Sequence, residues 1–429
     1  MSTSPVSPAS PPWALLAAYG GLRLPLALLE LPLFVLLPAF YGQQLGVPLA
    51  IVGAVLFGAR MLDALIDPLM GAGLDRARQV MSPRSWILMA SPLMAVGFLA
   101  LLHPPAGGIP LLTVWLALAS ILTYLGWSAV TIAHQAWGAG LSFDDRGRVR
   151  VTGVREVFGL SGVLISALLL DPSRMGGLSV LFVIALLLAL ALLFLAPLPE
   201  QAGPLQSPAR SGIWSQMWAP LAREPAFRKL LVVFMLNGTA SAIPATLVLF
   251  FVADVLQAPG QAPQFLFLYF AAAAVGMPLW VALGARIDLR KAWLVGMAAS
   301  VLAFVWAYAL GPGDLFAYAL ICVLSGLALG ADLAFPTALL ARVIAVAGGS
   351  GRDEGAYFGL WSLATKLNLA LAAGAGLTLL DLFGYQPGSG GSTGSLSLAY
   401  AALPCVLKLA AALALAWPDR APSETLEKS

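Results

Sequence analysis

Charge is what this 429-residue chain has least of: Asp, Glu, Lys and Arg together make 10% of it, while 60% is hydrophobic. Mean hydropathy is +0.89. A soluble domain carries roughly a quarter charged residues, so this chain has too little polar surface to cover itself in water. Cysteine is nearly missing as well. Cys322 and Cys405 both fall in apolar stretches, which excludes a disulfide framework or a thiolate metal site. Two histidines leave no H-E-x-x-H metal constellation, and no G-x-x-x-x-G-K-[ST] loop is present for nucleotide-driven pumping. An enzyme therefore finds little support, and no cofactor is expected. The opening "MSTSPVSPASPP" lacks a basic stretch and a small-residue cleavage site, so residues 1–12 are expected to be a disordered cytoplasmic tail rather than a signal peptide.

What the chain does have is long apolar runs. They fall near 13–41, 48–71, 85–103, 110–141, 152–170 and 177–197, then 227–253, 263–285, 291–311, 315–345, 355–383 and 395–417. These runs are continuous rather than alternating, and they far exceed the ~10 residues of a barrel strand. The sequence thus predicts an all-α integral membrane protein with twelve transmembrane helices. Of 23 basic residues, 15 lie in the connections 2–3, 4–5, 6–7, 8–9 and 10–11, and the opposite set holds only Arg174. The positive-inside rule puts the basic loops and both termini in the cytoplasm, as in a multi-pass protein of the inner (plasma) membrane. A channel is a further possibility for such a chain.

The proline-rich stretch 198–226 divides the spans six and six. This gives an N-terminal bundle (13–197), a cytoplasmic linker (198–226), a C-terminal bundle (227–417) and a tail (418–429). The halves echo each other: "GAGLDRARQVMSPRSW" follows span 2 and "GARIDLRKAW" follows span 8. Loops recurring at matching places suggest duplication into two pseudo-symmetric six-helix bundles. That pattern marks secondary transporters with a site between the halves, and it argues for rocking bundles over a fixed pore.

A few charges remain inside the spans: Arg23, Arg60, Arg155, Lys366 and Lys408 against Glu30, Asp63, Asp67, Glu156 and Asp332. Each costs at least ~2.5–3.5 kcal/mol at mid-bilayer, so pairing or a wet cavity is expected. In "ARMLDALIDPLMGAGLDRAR", Arg60, Asp63 and Asp67 share one helix face. Arg60 serves as charge balance for Asp63, but one arginine does not compensate two carboxylates one turn apart. Such a pair suits a cation, either Na⁺ through oxygens or a shared proton. Asp67 precedes Pro68, which loosens the helix locally. His134 and Trp137 lie one turn apart in span 4, either as a titrating or substrate-bonding pair or as packing. Arg155 and Glu156 open span 5 as a substrate-binding or interfacial pair. Lys366, deep in span 11 and five residues after Trp361, is less easily read as snorkelling than Lys408 and Arg23, which lie nearer helix ends. Asp332 holds in span 10 the place of His134 in span 4, and either lines the cavity or pairs with Lys366. Trp127, Trp137 and Trp361 offer rings for stacking on an amphipathic solute.

"ARMLDALIDPLMG" resembles the R-x-x-D-x-x-x-D-P-x-x-G signature of the glycoside–pentoside–hexuronide:cation symporters, a branch of the major facilitator superfamily that includes the melibiose carrier. "YLGWSAVTIAHQAWGAGLS", "VREVFGLSG" and "EGAYFGLWSLATKLNLA" are similar to that family's spans 4, 5 and 11, so the resemblance runs nearly the whole chain. It implies the major facilitator fold, a cation site at Asp63 and Asp67, and functional roles for Arg155 and Lys366. The register used here sets His134 where the melibiose carrier has an aspartate in span 4, which favours H⁺ over Na⁺.

The resulting expectation is alternating-access symport of a glycoside or related small polar solute, driven by H⁺ or Na⁺. The alternative is proton-coupled transport, including efflux, of an amphipathic or lipid-like solute. Asp63, Asp67 and His134 would couple the cation. Arg155, Glu156, Lys366, Trp137, Trp361 and Asp332 would bind substrate. Asp75, Arg76, Asp145, Arg146, Arg286, Asp288, Arg352 and Asp353 would form gating ion pairs at the cytoplasmic loops, where solvated basic loops are the plainer reading. The partners expected are a small-molecule substrate and the lipid bilayer, with no nucleic acid and no obligatory protein partner.

Overall fold

A computed structural model describes residues 11–30, 32–78, 80–142, 144–169, 175–198, 212–350, 352–382 and 393–417. Residues 1–10 of the tail expected at 1–12, the tail expected at 418–429, and Arg174 and Arg210 lie outside the described residues. Among these residues, nine helices are long and apolar enough to cross a membrane. They are span 3 (Pro83–Leu102), span 4 (Ile109–Ala139), span 5 (Asp145–Leu168), span 6 (Met175–Leu192), span 7 (Pro225–Val255), span 8 (Ala262–Gly284), span 9 (Leu289–Ala309), span 10 (Leu315–Val346) and span 12 (Gly394–Ala416).

Three further segments complete twelve. Spans 2 (Leu49–Ala77) and 11 (Glu354–Leu382) are helices of 29 residues each. At ~1.5 Å per residue they outreach a ~30 Å hydrocarbon core. They are also the helices that carry Asp63, Asp67 and Lys366. Span 1 is assembled from Trp13–Gly20, Arg23–Leu28, Leu37–Ala39 and two wider π turns, Pro32–Leu36 and Phe40–Gln44. Its prolines at 25, 32 and 38 cannot donate backbone hydrogen bonds, so a single regular helix is not available there.

Helix starts at the basic-loop end follow the capping rules. Ser82 accepts from the Ser85 backbone at 3.2 Å, Asp144 from Gly147 at 3.0 Å and Asp288 from Arg290 at 2.9 Å. Span 2 runs unbroken through Pro68, which leaves the Ala64 carbonyl without its intrahelical donor. The linker contains a short helix, Ile213–Arg223, with Trp214 and Trp218 exposed on one side and Met217 buried on the other.

The two bundles meet along spans 2 and 11, and along span 5 against spans 8 and 10. Spans 2 and 11 approach backbone to backbone. A Cβ added at Gly71 would collide with the carbonyl of Gly355, and one at Gly355 with the carbonyl of Gly71. Gly359 faces the Asp67 carbonyl in the same way. Small residues at a helix interface allow this approach, and here they bring Lys366 within reach of span 2.

Candidate functional site

Asp63 lies midway along span 2 and is 1% exposed; Asp67, one turn later, is 0% exposed. Lys366 reaches across from span 11, in the other bundle. Its ammonium donates to Asp63 Oδ2, stands 2.6 Å from Asp67 Oδ2, and donates to Ser128 Oγ at 2.9 Å. Ser128, on span 4, donates in turn to Asp63 Oδ1 at 2.7 Å. Asp63 is therefore fully engaged. Asp67 has the Lys366 ammonium and the Ser362 hydroxyl of span 11 beside it, neither aligned as a full hydrogen bond to its buried oxygens. Two carboxylates thus share one ammonium in a site closed to water, and a buried carboxylate without aligned donors is costly. Arg60 turns toward Tyr124, with its guanidinium carbon 5.8 Å from the ring centroid.

The sequence groups Asp63 with Asp67, assigns Lys366 to the solute rather than to these acids, and misses Ser128. It puts His134 at the position facing the aspartates instead. Ser128 and His134 are six residues apart, or ~240° around a helix, so both cannot face span 2. His134 is buried against span 1: its Nε2 lies 2.9 Å from the Tyr19 carbonyl, while the Tyr19 hydroxyl donates to the His134 carbonyl at 2.8 Å. This reciprocal tie pins span 1 to span 4. The signal for Ser128 was a small hydroxyl residue within "YLGWSAVTIAH", and hydroxyls are too common in apolar helices to single one out.

The remaining candidates scatter. Arg155 pairs with its neighbour Glu156 at 2.6 Å, buried in the N-terminal bundle. Arg23 binds Glu30 at 2.8 Å rather than snorkelling. Asp332 does not meet Lys366. It pairs with Lys408 at 2.5 Å, and its other oxygen accepts from Trp293 at 2.9 Å, all within the C-terminal bundle. Lys408 is 6% exposed, so it too is paired rather than snorkelling. The indole of Trp137 donates to the Pro197 carbonyl at 2.8 Å with Arg84 over its ring, near the basic-loop end. Trp361 stacks on Phe234 at 3.8 Å.

The basic-loop end is tied shut across the bundles. Asp75 accepts from the backbone N–H groups of Gly355 and Ala356, both at 2.7 Å, so an acid of span 2 completes the first turn of span 11. Arg78 pairs with Glu354 at 2.5 Å. Arg342 bridges Asp145 and Asp288, each at 2.8 Å, and Asp145 also holds Arg148 at 3.1 Å. Burial works against the Asp288 carboxylate, but Arg342 and the N–H groups of Arg290 and Lys291 outweigh it and hold its pKa below the ordinary range. Arg76 donates to Gln216 of the linker helix at 2.7 Å. Arg146 and Arg286 are exposed, Arg352 donates to the Gly348 carbonyl of its own turn, and Asp353 is exposed beside it. The residues missed at this end are Arg78 and Arg342.

Comparison with known proteins gives a consistent result. The Escherichia coli inner membrane symporter YicJ is 24% identical over 301 residues, covering 63% of this chain and 64% of that protein's length. Among solved structures, the Escherichia coli fucose:proton symporter superposes with a TM-score of 0.65 at 17% identity, covering 93% of this chain and 98% of that one. A bacterial homologue of the iron transporter ferroportin in its outward-facing state gives 0.68 at 16% identity, over 94% and 97%. The human organic anion transporter MFSD10 gives 0.66 at 19%, over 94% and 100%. At such identities these structures show a common fold. The profile of the family described as MFS/sugar transport protein matches residues 18–417. The chain is a multi-pass membrane protein that belongs to this family, a secondary transporter of the major facilitator superfamily.

Proposed function

We propose that this protein is a cation-coupled symporter of a glycoside or related small polar solute, working by alternating access in an inner membrane. One observation carries the reading. Lys366 of one bundle is clasped by Asp63 and Asp67 of the other, deep in the membrane, so that two carboxylates share one ammonium. A coupling ion, H⁺ or Na⁺, competes with Lys366 for Asp67. Once released from Asp67, the ammonium can donate to a substrate oxygen, so ion and substrate favour the same state. Ser128 supplies a further oxygen to that site. Arg155, Glu156 and Trp361 are assigned to the solute. His134, Trp137 and Asp332 are engaged elsewhere and are assigned to the scaffold.

The fifteen basic residues on one side support a cytoplasmic location for the tied end and for both termini. On that orientation the clasp at Asp75, Arg78, Glu354 and Arg342 closes the cytoplasmic side, and its opening releases solute and ion inward. The test is uptake into proteoliposomes of labelled glycosides, pentosides and uronides under imposed Na⁺ or H⁺ gradients, with Asp63→Asn beside the native protein. Uptake driven by one ion and lost in the variant is the expected result. Folded protein that moves no sugar under either gradient would overturn the assignment of the solute.

A further inference from the structure

The C-terminal bundle contains a cavity of about 100 Å³ that belongs to neither the inter-bundle site nor the tied end. Its walls come from spans 7, 8, 9, 10 and 12 alone. They are mostly apolar and include six rings, with Phe265, Tyr269, Phe270 and Phe304 among them. Lys408 stands in the lining. Its ammonium uses one N–H on Asp332 at 2.5 Å and a second, longer one on Ser241 at 3.4 Å. The third carries no bond among the described residues. Trp293 accompanies Asp332, so the neutral ion pair of spans 10 and 12 is also held from spans 7 and 9.

We propose that this cavity is a second ligand site, taking a small uncharged molecule with an aromatic or apolar body and one hydrogen-bond-accepting oxygen. Lysine and aspartate cancel within the wall, so a net charge on the ligand would meet no counter-charge and would carry the full cost of burial. The remaining ammonium N–H selects an acceptor, and the rings around it suit an aromatic body through offset or edge contacts. A pocket of apolar walls with one polar group to set orientation is the usual form of a small-molecule site.

Cys322 and Cys405 are the protein's two cysteines, and both lie in this wall, so the site carries its own reporters. The experiment uses the full chain in lipid nanodiscs, N-ethylmaleimide as the alkylating agent and benzyl alcohol as the competing probe, read by mass spectrometry of each thiol. Benzyl alcohol is expected to slow alkylation of Cys322 and Cys405 at least about threefold and saturably. A cysteine placed at Leu302, 70% exposed on the neighbouring surface, should not be slowed. In the charge-neutral double variant Asp332→Asn/Lys408→Met, the half-protecting concentration should rise about tenfold, the size expected for one lost hydrogen bond to a charged group. Ser300→Phe, which fills the cavity and leaves the ion pair in place, should remove protection. Three outcomes would overturn the proposal: thiols that react only after unfolding, slowing without saturation or equal slowing at Leu302→Cys, and protection unchanged in both variants.

Discussion

Lys366 and Lys408 are each a lone lysine in an apolar helix, and the structure gives them opposite settings. Lys408 meets one carboxylate from its own bundle, and that carboxylate's second oxygen is taken by Trp293. Charge in that pair is balanced one to one, and none of it crosses between the bundles. Lys366 meets two carboxylates from the opposite bundle, and its hydrogen bond to Asp67 is poorly aligned. The difference separates a pair that fixes a structure from a pair that can be exchanged. A buried ion pair balanced one to one has no reason to open, whereas one in which two acids share an ammonium has a place for a competing cation.

The sharpest way to break this comparison is through transport. Asp63→Asn and Lys366→Ala should each lower gradient-driven uptake by about 100-fold or more, equivalent to ~2.7 kcal/mol at ~1.36 kcal/mol per tenfold. Lys408→Met should leave coupling-ion selectivity unchanged at whatever protein level survives. Initial rates in proteoliposomes, normalised to folded protein, decide this.

Stability should rank the two in reverse. Lys408→Met strands a buried carboxylate and should cost about 3–5 kcal/mol, and adding Asp332→Asn should recover most of it. Lys366→Met should cost less, because Asp63 and Asp67 lie between the bundles and regain water when these part, whereas Asp332 is enclosed within one bundle. Thermal unfolding in detergent, followed by tryptophan fluorescence, measures the order; a larger loss for Lys366→Met would reverse the comparison.

At the tied end, Arg78→Ala and Glu354→Ala should each shift the population toward the state open at that end. A double-mutant cycle should show coupling of ~0.5–3 kcal/mol. Distances between spin labels on spans 2 and 11 would report the shift.

The smallest effect concerns acid. Asp288 has its pKa held below the ordinary carboxylate range, so its contribution to closure is complete above that range and disappears only as pH falls through the lowered value. Between neutral pH and about pH 4, Arg342→Gln should weaken closure by a nearly constant amount. Below that the difference from the native protein should shrink. The same spin-label distances, titrated with acid, test the sign.

The architecture was largely legible because it rests on long-wavelength features: apolar run length, the alternation of basic loops, and the echo between halves. Asp63, Asp67 and Lys366 were legible because a charge in an apolar run stands out. Three things stayed hidden. Ser128 is chemically ordinary in a membrane helix, and only the rotation of span 4 gives it its place. The partner of Asp332 depended on which lysine the packing turned inward, and two were available in the same half. Closure relies on Asp75 accepting from backbone N–H groups, and backbone donors are invisible in a string of side chains.

The contact of Gly71 with Gly355 has a consequence for how the halves part. Where side chains interlock, separation requires many rotamers to re-sort together, and the barrier belongs to packing. Here two bare backbones lie against each other like smooth plates, and the fasteners around them are a handful of charges. Separation then needs no reshuffling of teeth, only the release of clamps. A single methyl group at Gly71 or Gly355 would act as a wedge, holding the plates apart whatever the clamps do.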